Sequence, residues 1–121
     1  MSASTDTLDV QALARLHVDL GCDTRALRRF VDDFVALWPT RKARLVAAVD
    51  AHDTDEVTVV LLSIGSTSTM AGAAALAESC DELLREAENL SGTKLVRLAA
   101  TGDMCCRELR GYVEERYAAA S

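Results

Sequence analysis

Apolar residues recur every three or four positions along most of this chain, which is the spacing of one face of an α-helix. Leu13, Leu16 and Leu20 share a face over Leu8 to Leu20, a first helix that Gly21 can end in a left-handed conformation. Asp23 is placed to cap a long second helix with apolar positions Leu27, Phe30, Val31, Phe34, Leu37, Trp38, Leu45, Val46 and Val49. Pro39 falls inside this pattern and removes a backbone donor, so it kinks the helix or divides it near Trp38. The apolar face continues past it, which favours a kink. Asp50 to Asp53 is a polar turn. A third helix follows, capped by Asp53 or Thr54, with Asp55 and Glu56 in its first turn where they suit the helix dipole. Val57, Val59 and Val60 taken alone read as a strand, but no partner strand exists elsewhere, so helix is the physical choice. The Thr69–Ala71 region is expected to interrupt it. Gly72 to Glu88 forms a fourth helix with Leu76, Cys80, Leu83, Leu84 and Ala87 on one side, and Asn89 to Gly92 a turn. Thr93 to Tyr117 forms the last helix, carrying Leu95, Leu98, Cys105 or Cys106, Leu109, Val113 and Tyr117. Amphipathic helices joined by short turns predict an all-α fold, an antiparallel up-and-down four-helix bundle with a short N-terminal lead-in helix. Its core should gather Leu76, Cys80, Leu83, Phe30, Phe34, Leu98 and Leu109.

Composition narrows the class. At 121 residues the chain is one domain, expected over residues 8–121, with residues 1–7 as a polar disordered tail. Half of the residues are apolar, but only 4% are aromatic and one is proline, a balance that favours helix. A net charge of -6 argues against a nucleic-acid or anionic-membrane surface. No apolar run approaches the ~20 residues that span a bilayer, and the first residues lack a basic-then-apolar signal layout. A cytoplasmic protein is expected. The four cysteines do not read as a disulfide framework, since a bridge between the adjacent Cys105 and Cys106 would be badly strained. Neither histidine stands at ligand spacing from a cysteine. The thiols are expected to be buried or half-buried in a reducing compartment, with no role evident for Cys105 and Cys106, and no metal or cofactor is expected.

The third helix repays a reading by face. At about 100° per residue, Val57, Val60, Leu61, Ile64 and Ser68 fall in one sector, the core stripe. Leu62 lies about 140° from Val57, outside that stripe. Thr58, Leu62, Ser66 and Thr69 then form the outward face near the middle of the helix. A leucine there is either an incidental surface residue, which the residues alone favour, or an apolar contact for a partner.

The stretch from Leu61 to Ala73 resembles the motif A-H-x-L-K-G-x-S-x-x-x-G-A of histidine-containing phosphotransfer (HPt) domains, the carrier modules of two-component phosphorelays. Ile64 takes the buried leucine, Ser68 the serine, and Gly72-Ala73 the Gly-Ala that opens the next helix. Gly72, Ala73, Ala74, Leu76, Cys80, Glu82 and Leu83 further match the family's G-A-A-x-L-x-x-x-C-x-E-L run, and the succession of helices agrees over nearly the whole chain. In this register Leu62 occupies the phospho-acceptor histidine position, Gly65 the motif lysine and Ser66 the motif glycine. A register one residue earlier would put Leu61 at the histidine site and misplace Gly72, Leu76 and Cys80. Neither register supplies a histidine.

The resemblance implies a bundle whose motif helix docks with a receiver domain. Phosphoryl transfer needs a ring-nitrogen nucleophile and benefits from a nearby cation. Leu62 has no nucleophilic atom and Gly65 no charge. Ser66 and Thr67 have no evident neighbouring base. His52 follows Ala51, but sits in an acidic turn that would repel a phosphoryl group, and His17 lies on the lead-in helix. Arg28, Arg29, Arg41 and Arg44 read as a solvated face of the second helix, or as a surface for an acidic receiver. The expectation is therefore a non-enzymatic docking or sequestering module for a response-regulator receiver domain or a histidine kinase, unable to carry phosphate at the motif position. Its partner-binding residues would be Thr58, Leu62, Gly65, Ser66 and Thr69. The alternatives are a true carrier using His52 or His17, and a structural helical bundle, in one form a dimer through exposed apolar residues.

Overall fold

The computed structural model describes residues 7–117, and no strand occurs among them. In chain order the helices are α1 (Val10–Asp19), α2 (Thr24–Asp50), α3 (Thr54–Ala71), α4 (Ala74–Leu84) and α5 (Gly92–Tyr117), with a 3-10 turn at Ala87–Asn89 before α5. α2, α3, α4 and α5 pack in sequence and α5 returns against α2, so they form a four-membered ring; α1 lies on α3 and α2. Short connections between packed neighbours make the arrangement up-and-down. The bundle with a lead-in helix is thus the architecture that the apolar spacing predicts. Residues 1–6 of the expected tail, and 118–121, lie outside the described residues. Thr7, also assigned to the tail, is buried instead, and its carbonyl accepts from the Cys105 thiol at 3.8 Å.

Three aspartates start three helices, each because a side-chain oxygen can satisfy an amide that has no partner one turn back. Asp9 accepts from the amides of Gln11 and Ala12, both at 3.1 Å. Asp23 accepts from Ala26 and Asp53 from Glu56, each at 3.1 Å. Of the two caps considered for the third helix, Asp53 is the one used. Gly21 takes a left-handed conformation (φ +75°) just beyond α1.

Pro39 does not divide α2, which runs unbroken from Thr24 to Asp50. The proline ring is exposed, so the Val35 carbonyl that loses its donor lies toward the solvent side. Next to it Trp38 turns inward, 4% exposed. Its indole covers Gly102 of α5 so closely that a Cβ at that position would overlap the ring, and its Nε1 donates to Asp103 at 2.8 Å.

Several boundaries differ from expectation: α1 starts at Val10 and not at Leu8, because Asp9 caps it, and the ends of both α3 and α4 are displaced. α3 is not interrupted at Thr69–Ala71 but continues through Ala71, and Gly72 ends it with φ +78° and does not open the next helix. The α4 helix starts only at Ala74 and stops at Leu84, short of Glu88, because Arg85 and Glu86 turn into the 3-10 segment. A left-handed residue satisfies the last carbonyls of α3: the Ala73 amide donates to Ser68 at 2.8 Å and that of Gly72 to Thr69 at 3.3 Å. The same turn holds α1, since the Asp9 amide donates to the Gly72 carbonyl at 2.8 Å.

Leu76, Cys80, Leu83, Phe34, Leu98 and Leu109 join one core, as the periodicity predicts; Phe30 is only half-buried at its edge. On α2, Leu37 and Val46 remain exposed, although they belong to the same sequence periodicity, and Ala48 is buried. The apolar stripe on α2 is wider than the surface its neighbours cover. Cys80, Cys105 and Cys106 are buried, but Cys22, in the α1–α2 turn, is exposed.

Candidate functional site

The middle of α3 contains two leucines with opposite environments. Leu61 is fully buried, whereas Leu62 is 54% exposed. Val57, Val60, Ile64 and Ser68 are buried on the Leu61 side, as the helical projection predicts. Leu61 therefore cannot present a side chain to a partner without unfolding, and Leu62 already does so. Around Leu62, Ser66 and Thr69 are exposed and Thr58 is half-buried.

Val59 and Met70 also belong to this face and were absent from the residues expected there. They are 54% and 51% exposed. Their positions were legible: three residues before Leu62 and eight after it place them about 60° and 80° from it around the helix. The face thus reads Val59, Leu62, Ser66 and Met70 over three turns, with Ser63 and Thr69 flanking. It is more apolar than a solvated helix face needs to be.

Gly65 is half-buried and leans toward α4, where a Cβ would stand 3.5 Å from that of Cys80. This is ordinary contact distance, so a longer side chain fits at 65 only by passing the edge of α4. No charge is placed there by α3 itself. The cation beside this helix comes instead from α2: Arg41 Nη1 donates to Thr67 Oγ1 at 3.1 Å, and Thr67 is held by the Ser63 carbonyl at 3.0 Å. Nearer the helix start, Arg44 bonds Glu56 at 2.5 Å. Arg41 and Arg44, two of the five α2 arginines, are thus committed to α3 and are not wholly a free solvated face. Thr67 is half-buried, and its hydroxyl is bonded to the helix backbone, which gives it no freedom as a nucleophile.

Ser68, at the motif serine position, is fully buried, and its Oγ has no hydrogen-bond partner among the described residues. The two histidines lie away from the face. His52 is exposed in the α2–α3 turn with φ +57°, ten residues before Leu62 and so about 15 Å away along the helix. His17 is half-buried, with Nε2 3.2 Å from Thr24 Oγ1 and its ring 5.0 Å from that of Tyr117. Neither is brought near Leu62.

The buried thiols are held neutral. Burial, with the Asp81 carboxylate adding to it, pushes Cys80 up to about 12. Burial also raises Cys106, to about 11, and Cys105. None of the three is poised as a nucleophile at neutral pH.

Together these elements make a four-helix bundle with a lead-in helix, a long proline-containing helix, and a third helix that shows its middle to solvent. Comparison with solved structures agrees. The chain is similar to the crystal structure of histidine-containing phosphotransfer protein B (HptB) from Pseudomonas aeruginosa PAO1, with a TM-score of 0.72 and 24% sequence identity, over 97% of both chains. At that identity the likeness establishes the fold. No family model matches the chain, and no curated protein matches it. Among the described residues no helix is long and apolar enough to cross a membrane.

Proposed function

We propose that this chain is a docking or sequestering module of two-component phosphorelay signalling. It binds a response-regulator receiver domain or a histidine kinase through the outward face of α3 and does not carry phosphate at the motif position. The observation that carries this reading is the 54% exposure of Leu62, flanked by Val59 and Met70, on a fold whose solved relative is a phosphotransfer protein by name. An apolar side chain stands where the resemblance puts the imidazole. It offers a partner contact area worth about 1.5–3 kcal/mol on full burial and no atom to phosphorylate. The protein is not an enzyme in this reading, because its contribution is occupancy of the partner's docking surface.

The test uses purified receiver domains and histidine kinases of two-component systems. The expected result is saturable binding to at least one of them, with no acid-labile phosphate left on this chain after incubation with the phosphorylated receiver. Leu62→Asp should lower affinity at least tenfold, about 1.4 kcal/mol, since a charge must then be desolvated. Leu62→His alone should transfer weakly, and Leu62→His with Gly65→Lys better, because the lysine supplies the missing cation. Phosphohistidine formed by the unaltered chain would make it a carrier through His52 or His17. Binding indifferent to Leu62→Asp would remove the α3 face from the function.

A further inference from the structure

We propose that a second copy of this chain docks antiparallel into the groove between α2 and α5, which forms a two-fold dimer on the side of the bundle away from α3. The groove is a shallow, open depression of about 490 Å³, with Lys42, Val46 and Asp50 of α2 on one side and Leu95, Val96 and Ala99 of α5 on the other. Its walls are aliphatic apart from one charge of each sign. Val46 is 42% exposed and Val96 70%, although both follow the apolar spacing of their helices or adjoin it. Alanines on either side leave room for a valine to enter.

Charge placement selects the occupant. Lys42 lies four residues before Val46 and Asp50 four after it, one helical turn each way along a single face. In a two-fold contact, residue i of one copy meets residue j of the other and the reverse. Two α2 helices that cross antiparallel at Val46 therefore set Lys42 against the other copy's Asp50, twice. A parallel crossing would set like against like. Asp50 makes no ion pair among the described residues. Lys42 spends one donor on Asp103 at 3.2 Å, which leaves two of its three protons for a further acceptor. α5 lies diagonally across from α3, and α2 meets α3 at Thr67 through Arg41, about 140° around the helix from Leu62, so both copies keep Leu62 free. The inference therefore stands apart from the proposed function.

Sedimentation equilibrium over a concentration series tests it. The unaltered chain should show a monomer–dimer equilibrium. Asp50→Lys should weaken it at least tenfold, and so should Lys42→Glu, because each sets like charges together at both ends. Mixing the two variants should restore the dimer, since both contacts are then Lys against acid. Lys42→Glu also removes a partner of Asp103, so Val96→Asp, at a 70% exposed site, serves as an independent disruptor that leaves the fold alone. Leu62→Asp should not change the dimer. A chain that stays monomeric at all concentrations, a dimer unaffected by Asp50→Lys or Val96→Asp, or a variant mixture that fails to associate would each overturn the proposal.

Discussion

Leu61 and Leu62 are chemically identical neighbours, and about 100° of rotation around the helix axis separates their roles. Leu61 fills a site closed on all sides; Leu62 stands half in water. Truncation should expose the difference. Leu61→Ala leaves a cavity and should cost about 2–5 kcal/mol of unfolding free energy. Leu62→Ala removes little buried area and should stay within about 0.5 kcal/mol of the parent. Chemical denaturation of both variants measures this. Equal losses would mean that Leu62 packs inside the bundle, and the assignment of the outward face would fail with it. Position 65 follows the same logic. Gly65 faces Cys80 with room for a Cβ at ordinary contact distance, and it leaves this part of the face without a charge.

The α3–α4 turn depends on Gly72. Its left-handed φ of +78° ends one helix, and an added Cβ would lie 2.7 Å from the Asp9 carbonyl oxygen and 3.1 Å from Leu13. That contact cannot relax without moving α1. Gly21 has nearly the same φ, +75°, but nothing within 4 Å of where a Cβ would stand. Gly21→Ala should therefore cost about 1 kcal/mol for the left-handed backbone alone. Gly72→Ala should cost that and the clash, about 2–4 kcal/mol in all. Thermal unfolding of the two variants separates conformational strain from steric strain. Similar values would show that α1 is loosely held on the turn.

Three buried thiols sit in one core, and their ionisation is linked to the stability of the molecule. Cys80 is raised from 9.0 to about 12 and Cys106 to about 11 by burial. Below pH 9 the thiols are protonated in both folded and unfolded chains, and the contribution is fully present. Above it the unfolded chain releases protons that the folded chain retains, so stability falls as pH rises toward the folded values. The slope should approach about 1.4 kcal/mol per pH unit for each thiol involved. Urea unfolding measured from pH 8 to the alkaline limit should show this decline, and Cys80→Ala should make it shallower. A flat profile would mean that water reaches the thiols. Asp103 acts on the acid limb. The Trp38 indole first, then Lys42, holds its carboxyl below the usual range, so its contribution is present above the ordinary carboxylate pKa and is lost as pH falls through the lowered one.

Helix number and order were legible along the chain, and so were the Asp23 and Asp53 caps, because apolar spacing and a capping aspartate act within a few residues of themselves; the Asp9 cap emerged only from the structure. The exposure of Leu62 was legible for the same reason: it depends on the projection of one helix. Val59 and Met70 obeyed that projection too and were obscured only by a β-branched run and an expected break. Gly72 was read as a helix start because a motif states order and not backbone sign; its left-handed φ follows from packing against Asp9 and Leu13. The Trp38–Gly102–Asp103 contact joins residues more than sixty positions apart, and no local pattern encodes it. Nor does periodicity tell which apolar residues a neighbour covers. Leu37 and Val46 follow the same α2 spacing as Leu27 and Leu45, yet no other helix of the chain covers them. The reason is physical: the width of an apolar stripe is a property of one helix, while the width that is buried is set by how closely the adjacent helices approach it.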